Sequence, residues 1–129
     1  MIDESIIIDS VKIIEVSIPY VIPFQISGGT SYKRKSILVE FKSGNITAFG
    51  ESAPFEQPFY SSETISTVKS IIVENLLPKI VGKRFNSIKH FNKVINKNIR
   101  GNNFAKCGVE TAYWDLIAKK NNITLKKAP

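Results

Sequence analysis

Few residues of this chain are of types that do chemistry, and their spacing limits what they can do. His90 is the single histidine among 129 residues. No second histidine or cysteine stands at metal-ligand spacing from it, so a zinc-type site has no donor set. It falls one residue before apolar Phe91 in a helical pattern, which predicts an ordinary surface histidine at the border of a buried face. Cys107 is the single cysteine, so no disulfide can form within the chain, and a reducing compartment is expected. No histidine or carboxylate is spaced to activate its thiol, and the apolar helical pattern around it predicts a packed, inert side chain. Gly28-Gly29-Thr30-Ser31 has the composition of a phosphate cradle. It lacks the Gly-Lys-Ser/Thr ending of a P-loop and the spacing of a dinucleotide fingerprint. Glu51, Glu56 and Glu63 are the carboxylates nearest an aromatic-rich stretch, while Glu110 and Asp115 fall on the polar side or edge of the last helical pattern. No pair among them has a spacing that argues for acid–base work.

The formal net charge is +7, which raises the question of nucleic acid. The lysines are dispersed (Lys12, Lys42, Lys69, Lys79, Lys93, Lys106), and the two clusters have local explanations. Lys33-Arg34-Lys35 precedes an apparent strand, and Lys119-Lys120 closes a helix, where cations favour the macrodipole. A solvated surface is expected, with no nucleic-acid partner. No apolar run approaches the ~20 residues of a membrane span. Ile6-Ile7-Ile8 is short and follows Asp3 and Glu4 instead of a basic region, so neither a secretory signal nor a membrane partner is expected. The expected location is the cytoplasm.

The elements that would position these groups change type midway. Val11 to Ile18 alternates and is rich in β-branched residues, as a strand does. Pro19 and Pro23 would break its ladder, and Phe24 to Tyr32, with Gly28-Gly29, reads as a mobile loop. Ser36 to Lys42 places Ile37, Val39 and Phe41 on one face and Leu38, Glu40 and Lys42 on the other. Ser43-Gly44-Asn45 signals a tight turn, and Ile46 to Glu51 returns. The pattern is a three-stranded antiparallel meander with a long first connection and a short second one. Pro54 to Tyr60 has no period and reads as a second loop. Beyond it Ser61 or Ser62 can cap a helix, with Glu63 in its first turn and Ile65, Val68, Ile72 and Leu76 as its inner stripe. Pro78 and Gly82 kink or end it. Ser87 can cap a second helix carrying Ile88, Phe91, Val94 and Ile95, broken at Arg100-Gly101-Asn102.

The run from Gly101 to Lys119 reads as a third, amphipathic helix. Phe104, Cys107, Gly108, Ala112, Leu116 and Ile117 recur at helical spacing, flanked by Val109 and Tyr113. A glycine inside that face costs about 1 kcal/mol against alanine, so Gly108 predicts the close approach of another backbone. Asn121-Asn122 closes the helix. The class is α+β, a meander followed by about three helices, in one domain over residues 10–125. Residues 1–9 look frayed.

Four segments, in order, resemble the N-terminal capping domain of the enolase superfamily, of mandelate racemase/muconate lactonizing enzyme type. Pro23-Phe24-Gln25-Ile26-Ser27-Gly28-Gly29-Thr30 is similar to a Pro-Phe-x-x-Ser-x-Gly-Thr loop. Phe49-Gly50-Glu51-Ser52-Ala53-Pro54 resembles a Gly-Glu motif after the third strand. Pro58-Phe59-Tyr60-Ser61-Ser62-Glu63 resembles the Pro-x-Tyr-x-x-Glu of the o-succinylbenzoate synthase and N-acylamino acid racemase branch. Asn98 to Lys106 resembles that branch's approach to the last helix. The helix itself, Ala105 to Leu116, also resembles the last helix of the superfamily's capping domain, with its Ala-Lys-x-Gly-x-Glu-x-Ala-x-Trp-Asp-Leu pattern.

The resemblance implies a domain that covers a (β/α)-barrel in which Mg²⁺ and lysine bases form an enolate from a small carboxylate substrate. Carried over by motif, the substrate-preference residues are Phe24, Ile26, Ser27, Gly28, Gly29 and Thr30 in one loop and Phe55, Pro58, Phe59 and Tyr60 in the other. The barrel's bases and Mg²⁺ ligands have no counterparts in this chain, so it carries no catalytic residue and no metal ligand, and alone it is expected to be inactive. Lys33-Arg34-Lys35 matches the barrel's Lys-x-Lys only as a string. The implied partners are a C-terminal barrel and, through uncovered apolar side chains, a second copy of the chain. A synthase would place the full enzyme in menaquinone biosynthesis. A dipeptide epimerase or other muconate-lactonizing relative is the alternative enzyme, and an interaction module without a barrel is the alternative of another class.

Overall fold

The computed structural model describes residues 2–26, 29–54 and 62–123, with backbone alone for 18–26 and 29–34. The expected meander is present: β2 (Ser10–Ile26), β3 (Gly29–Ser43) and β4 (Ile46–Ser52) form an antiparallel sheet in the order β2-β3-β4. Its inner rows pair Val39 with Ile13 and Gly50, and Phe41 with Val11 and Ala48. Ile37, Val39, Phe41 and Ala48 are fully buried there, as the alternation predicts. The β3–β4 turn rests on Gly44, whose φ of +58° suits glycine, and its N–H donates to the Asp9 carboxylate at 2.7 Å.

The first connection differs from expectation. Phe24 to Tyr32, read as a loop, is largely strand: Phe24 pairs with Ser31, Gln25 with Thr30 and Ile26 with Gly29. The two prolines do not end β2. The register instead shifts between Pro19 and Phe24, so that residues 20–23 stand opposite the single residue 32. An edge strand tolerates proline because one side of its backbone has no ladder to complete.

Helices cover one face of this sheet. They are α1 (Ile65–Ile71), α2 (Leu77–Ile80), α3 (Ile88–Asn96) and α4 (Asn103–Lys120). Between α1 and α2, residues Ile72–Leu76 form a π-helical turn, and Leu77 N–H reaches back to the Ile72 carbonyl. Pro78 has no N–H for the preceding turn and its ring crowds that turn's carbonyl; the widened turn accommodates both without a break. The predicted stripe holds, with Ile65, Val68, Ile72 and Leu76 all buried. The cap does not fall on Ser61 or Ser62. Thr64 is the N-cap and exchanges hydrogen bonds with Thr67, and Glu63 lies before the helix. Ser87 caps α3 as expected, accepting from His90 N–H at 3.1 Å.

Residues 2–9, expected to be frayed, are packed. β1 (Ile6–Ile7) pairs antiparallel with β5 (Arg84–Phe85) in a second, two-stranded sheet. Ile8 is fully buried and Ile6 nearly so. Glu4 caps α3, accepting from Ile88 N–H at 3.0 Å. Asp3 and Asn121 exchange two hydrogen bonds, and Lys120 pairs with Asp3 at 2.9 Å. The Ile6-Ile7-Ile8 run is thus a core strand and its continuation, and the charged residues before it fasten the segment down.

Phe85, Phe91 and Tyr113 form the aromatic centre of the core. Ring centroids lie 4.6 Å apart for Phe91–Tyr113 and 4.9 Å for Phe85–Phe91, within the range of favourable ring contacts. The buried Tyr113 hydroxyl donates to the Glu4 carbonyl at 2.6 Å. Burial, and then the charges of Glu4 and Asp3, push this phenol above its ordinary value of 10.0. The unfolded chain therefore gives up the proton first as pH rises through about 10, and stability falls above that pH. Tyr113→Phe is expected to cost about 1 kcal/mol at pH 7, from the lost hydrogen bond, and to flatten the alkaline loss. Urea melts at pH 7 and above pH 10 check this; an unchanged alkaline slope would assign it to other groups.

Candidate functional site

Strand direction brings the β2–β3 hairpin and the point where the chain leaves β4 to one end of the sheet. β4 runs from the Gly44 turn toward the β2–β3 hairpin end and stops at Ser52, opposite Ile37. β3 continues as strand through residues 29–36 beyond that point, an overhang of about 25 Å at the usual rise per residue. The connection that leaves Ser52 therefore starts beneath the overhanging hairpin. Of the predicted positions, Phe24, Ile26, Gly29 and Thr30 lie at the hairpin end. Ser27, Gly28, Phe55, Pro58, Phe59 and Tyr60 lie outside the described residues.

α4 runs antiparallel to β4 and brings its N-terminus to the same end. Phe49 N–H donates to Asp115 at 2.9 Å near one end of the pair, and Ser52 Oγ donates to the Phe104 carbonyl at 2.8 Å near the other. Between these contacts the backbones nearly touch. A Cβ on Gly50 would fall on the Gly108 carbonyl and 2.6 Å from Ala112 N, and a Cβ on Gly108 would lie 3.3 Å from Ser52 Cβ. The close approach expected at Gly108 is present, with Gly50 as its counterpart.

The buried face of α4 is Ala105, Gly108, Val109, Ala112, Tyr113, Leu116, Ile117 and Ala118. Cys107, expected to be packed, is exposed, and Phe104 is 38% exposed. The true face is rotated by about one position: Ala105 is buried, while Phe104 and Cys107 are exposed. The Cys107 sulfur lies 3.8 Å from Thr111 Oγ1. His90 is half-buried, and its Nδ1 accepts from Asn86 N–H at 3.1 Å, in keeping with the expected border position.

Glu63 has a role that its sequence position did not suggest. Its side chain is almost buried. One carboxylate oxygen accepts from Phe104 N–H at 3.0 Å and the other from Ala105 N–H at 3.2 Å. The α4 N-cap, Asn102, is left-handed and makes no side-chain capping bond. Glu63 therefore supplies the acceptors that the helix start lacks, and its negative charge faces the positive end of the macrodipole. The sequence carried one hint of this, since Glu63 is the acidic member of the Pro-x-Tyr-x-x-Glu segment.

An open groove flanks this end between the sheet and α1, lined by Glu15, Lys35, Ile65, Ser66, Lys69 and Glu74 among others. The Lys69–Glu15 ion pair, at 3.6 Å, joins its walls. Among the described residues no three His, Cys, Asp or Glu side chains gather. That part of the chain presents no donor set that fits Mg²⁺, and no metal chemistry is assigned to it. Among the described residues no helix is long and apolar enough to cross a membrane.

Residues 8–127 match the family described as mandelate racemase / muconate lactonizing enzyme, N-terminal domain. The o-succinylbenzoate synthase of Bacillus subtilis (strain 168) is 34% identical over 124 residues, covering 94% of this chain and 33% of that protein. The chloromuconate cycloisomerase of Pseudomonas putida is 29% identical over 118 residues, covering 92% and 32%. A solved enolase-superfamily member from Listeria innocua Clip11262 superposes with a TM-score of 0.89 at 29% identity, covering 95% of this chain and 33% of that one. The chain thus spans about a third of the length of the curated relatives it matches.

Proposed function

The chain belongs to the mandelate racemase/muconate lactonizing enzyme N-terminal domain family, and from that premise we propose that it caps the active site of an o-succinylbenzoate synthase or N-acylamino acid racemase-type enzyme. The observation that carries the reading is the convergence at one end of the fold. The overhanging β2–β3 hairpin, the point where the chain leaves β4 at Ser52 and the start of α4 lie together there. Relatives about three times as long mark the chain as one domain of a larger protein. A C-terminal (β/α)-barrel is its partner in this reading. The barrel supplies the bases and binds the Mg²⁺ that stabilises the enolate of a small carboxylate substrate. This domain's part is to shape the pocket and exclude water over it. The cytoplasm suits such an enzyme, and as a synthase it would serve menaquinone biosynthesis. Without a barrel, the apolar positions at this end would favour self-association.

Similarity to o-succinylbenzoate synthase over 94% of the chain supports the synthase branch. The muconate-lactonizing alternative draws on the chloromuconate cycloisomerase match over 92%. Fusion of residues 1–127 to the remainder of the Bacillus subtilis synthase provides the test. Alanine at Phe24, Ile26, Phe55, Phe59 or Tyr60 is expected to change relative kcat/KM between two carboxylate substrates by about tenfold or more, with little loss of stability. Variants that lose stability alone, at unchanged relative rates, would mark these as core residues and remove the capping role.

A further inference from the structure

Ser52 and Glu63 flank the 53–62 connection, and both are bonded to the same peptide neighbourhood at the start of α4. Ser52 Oγ donates to the Phe104 carbonyl at 2.8 Å, while the Glu63 carboxylate accepts from the Phe104 and Ala105 N–H groups. Both side chains are almost wholly buried, at 3% and 9% exposure. The contacts depend on the seam behind them. β4 can approach the helix this closely because residue 50 has no side chain, and a methyl at residue 108 would lie 3.3 Å from Ser52 Cβ. A helix is stiff along its axis, so two stems fastened to one turn of it are held at a fixed separation.

We propose that Ser52 and Glu63 are positioning residues that fasten both stems of the 53–62 connection to the first turn of α4 and thereby set substrate preference. The inference rests on the capping reading above and extends it to two residues that touch no substrate. Glu63 is suited to the task by its charge, since a carboxylate makes stronger bonds to helix-start N–H groups than a neutral acceptor does.

Hydrogen exchange on the 129-residue chain tests the clamp itself. Glu63→Ala is expected to speed exchange at the Phe104 and Ala105 amides by about tenfold or more, with Glu63→Gln, which keeps one carbonyl acceptor, between it and the parent. Core amides such as Leu116 should be unaffected. The second arm uses the fusion to the synthase remainder. There Ser52→Ala and Glu63→Ala should shift relative kcat/KM between two carboxylate substrates by about fivefold or more, mainly through KM, and Glu63→Gln should restore part of the preference. Unchanged exchange at Phe104 and Ala105 overturns the clamp. Faster exchange with an unmoved preference, while Phe59→Ala and Tyr60→Ala still move it, overturns the positioning role and leaves the capping reading standing. If those two alanine variants leave the preference unmoved as well, the capping reading fails and takes this inference with it.

Discussion

Gly50→Ala is expected to destabilise the domain by about 3 kcal/mol or more, at the upper end of overpacking costs. The added methyl would meet the Gly108 carbonyl and Ala112 N. Both are backbone atoms of a helix and neither can rotate away, so the strand and the helix must part. Parting them loosens the Ser52–Phe104 bond and the packing of Val39 and Ala112. Gly108→Ala is the informative control. Its methyl meets Ser52 Cβ at 3.3 Å and Val39 Cγ2 at 3.5 Å, which a few tenths of an ångström of movement relieve, and alanine favours the helix by about 1 kcal/mol. The two effects nearly offset, so its stability should stay within about 1 kcal/mol of the parent. At Gly44, Gly82 and Gly101 an added methyl would enter open space; what opposes alanine there is the positive φ of each, about 1 kcal/mol apiece. Urea melts of the five alanine variants give the order directly. A Gly50→Ala protein as stable as Gly108→Ala would mean that the seam is looser than these distances state.

The same seam shows what the sequence could and could not reveal. Gly108 stood out because a glycine within an apolar helical face needs a reason. Gly50 did not, since in Phe49-Gly50-Glu51 it reads equally as strand interior or strand end. The strands from Val11 to Ile18, Ser36 to Lys42 and Ile46 to Glu51 were legible because a sheet with one buried face imposes a period of two. The extension of β2 and β3 was not. Proline and glycine signals there are local, and they are overridden once β2 is an edge strand with a register shift to absorb the extra residues. Residues 2–9 were misread for a related reason: β1 has two residues, too few to show a period, and its partner β5 lies far away in sequence.

Side-chain phase and long-range polar contacts were the other gaps. Phe104 and Cys107 carry apolar labels, so the reading of α4 rotated toward them, but the small residues at 108 and 112 are what meet β4 closely. Glu63 was placed in the first turn of the helix that follows it, a sound local expectation. In the structure it serves the start of a different helix, 41 residues from Phe104. No pattern of spacing encodes that pairing, because it exists only after the fold brings the two segments together.

The purified chain with Mg²⁺ is expected to show no turnover of the substrates of either a synthase or a racemase. Enolate formation needs a base within hydrogen-bond reach of the acidic C–H, oxygen ligands that hold the metal, and a site closed to water, all at once. Among the described residues four carboxylates are engaged elsewhere: Glu63 on the α4 start, Asp115 on Phe49 N–H, Asp9 on Gly44 N–H and Asp3 with Lys120. None of them converges with two others. Supplying the barrel should bring the rate up, and the domain's own share of that rate is the measurable quantity. On the capping reading proposed above, a barrel fragment alone lacks the cover that closes and orients the substrate, and poor positioning of that kind costs about a hundredfold. Adding the 129-residue chain to a separate barrel fragment, or fusing the two, should therefore raise kcat/KM by about that factor over the fragment alone. The Gly50→Ala variant should fail to do so, because it disrupts the seam between β4 and α4. Turnover by the chain alone would place catalytic groups in this domain. A barrel fragment indifferent to its presence would separate the domain from the reaction altogether.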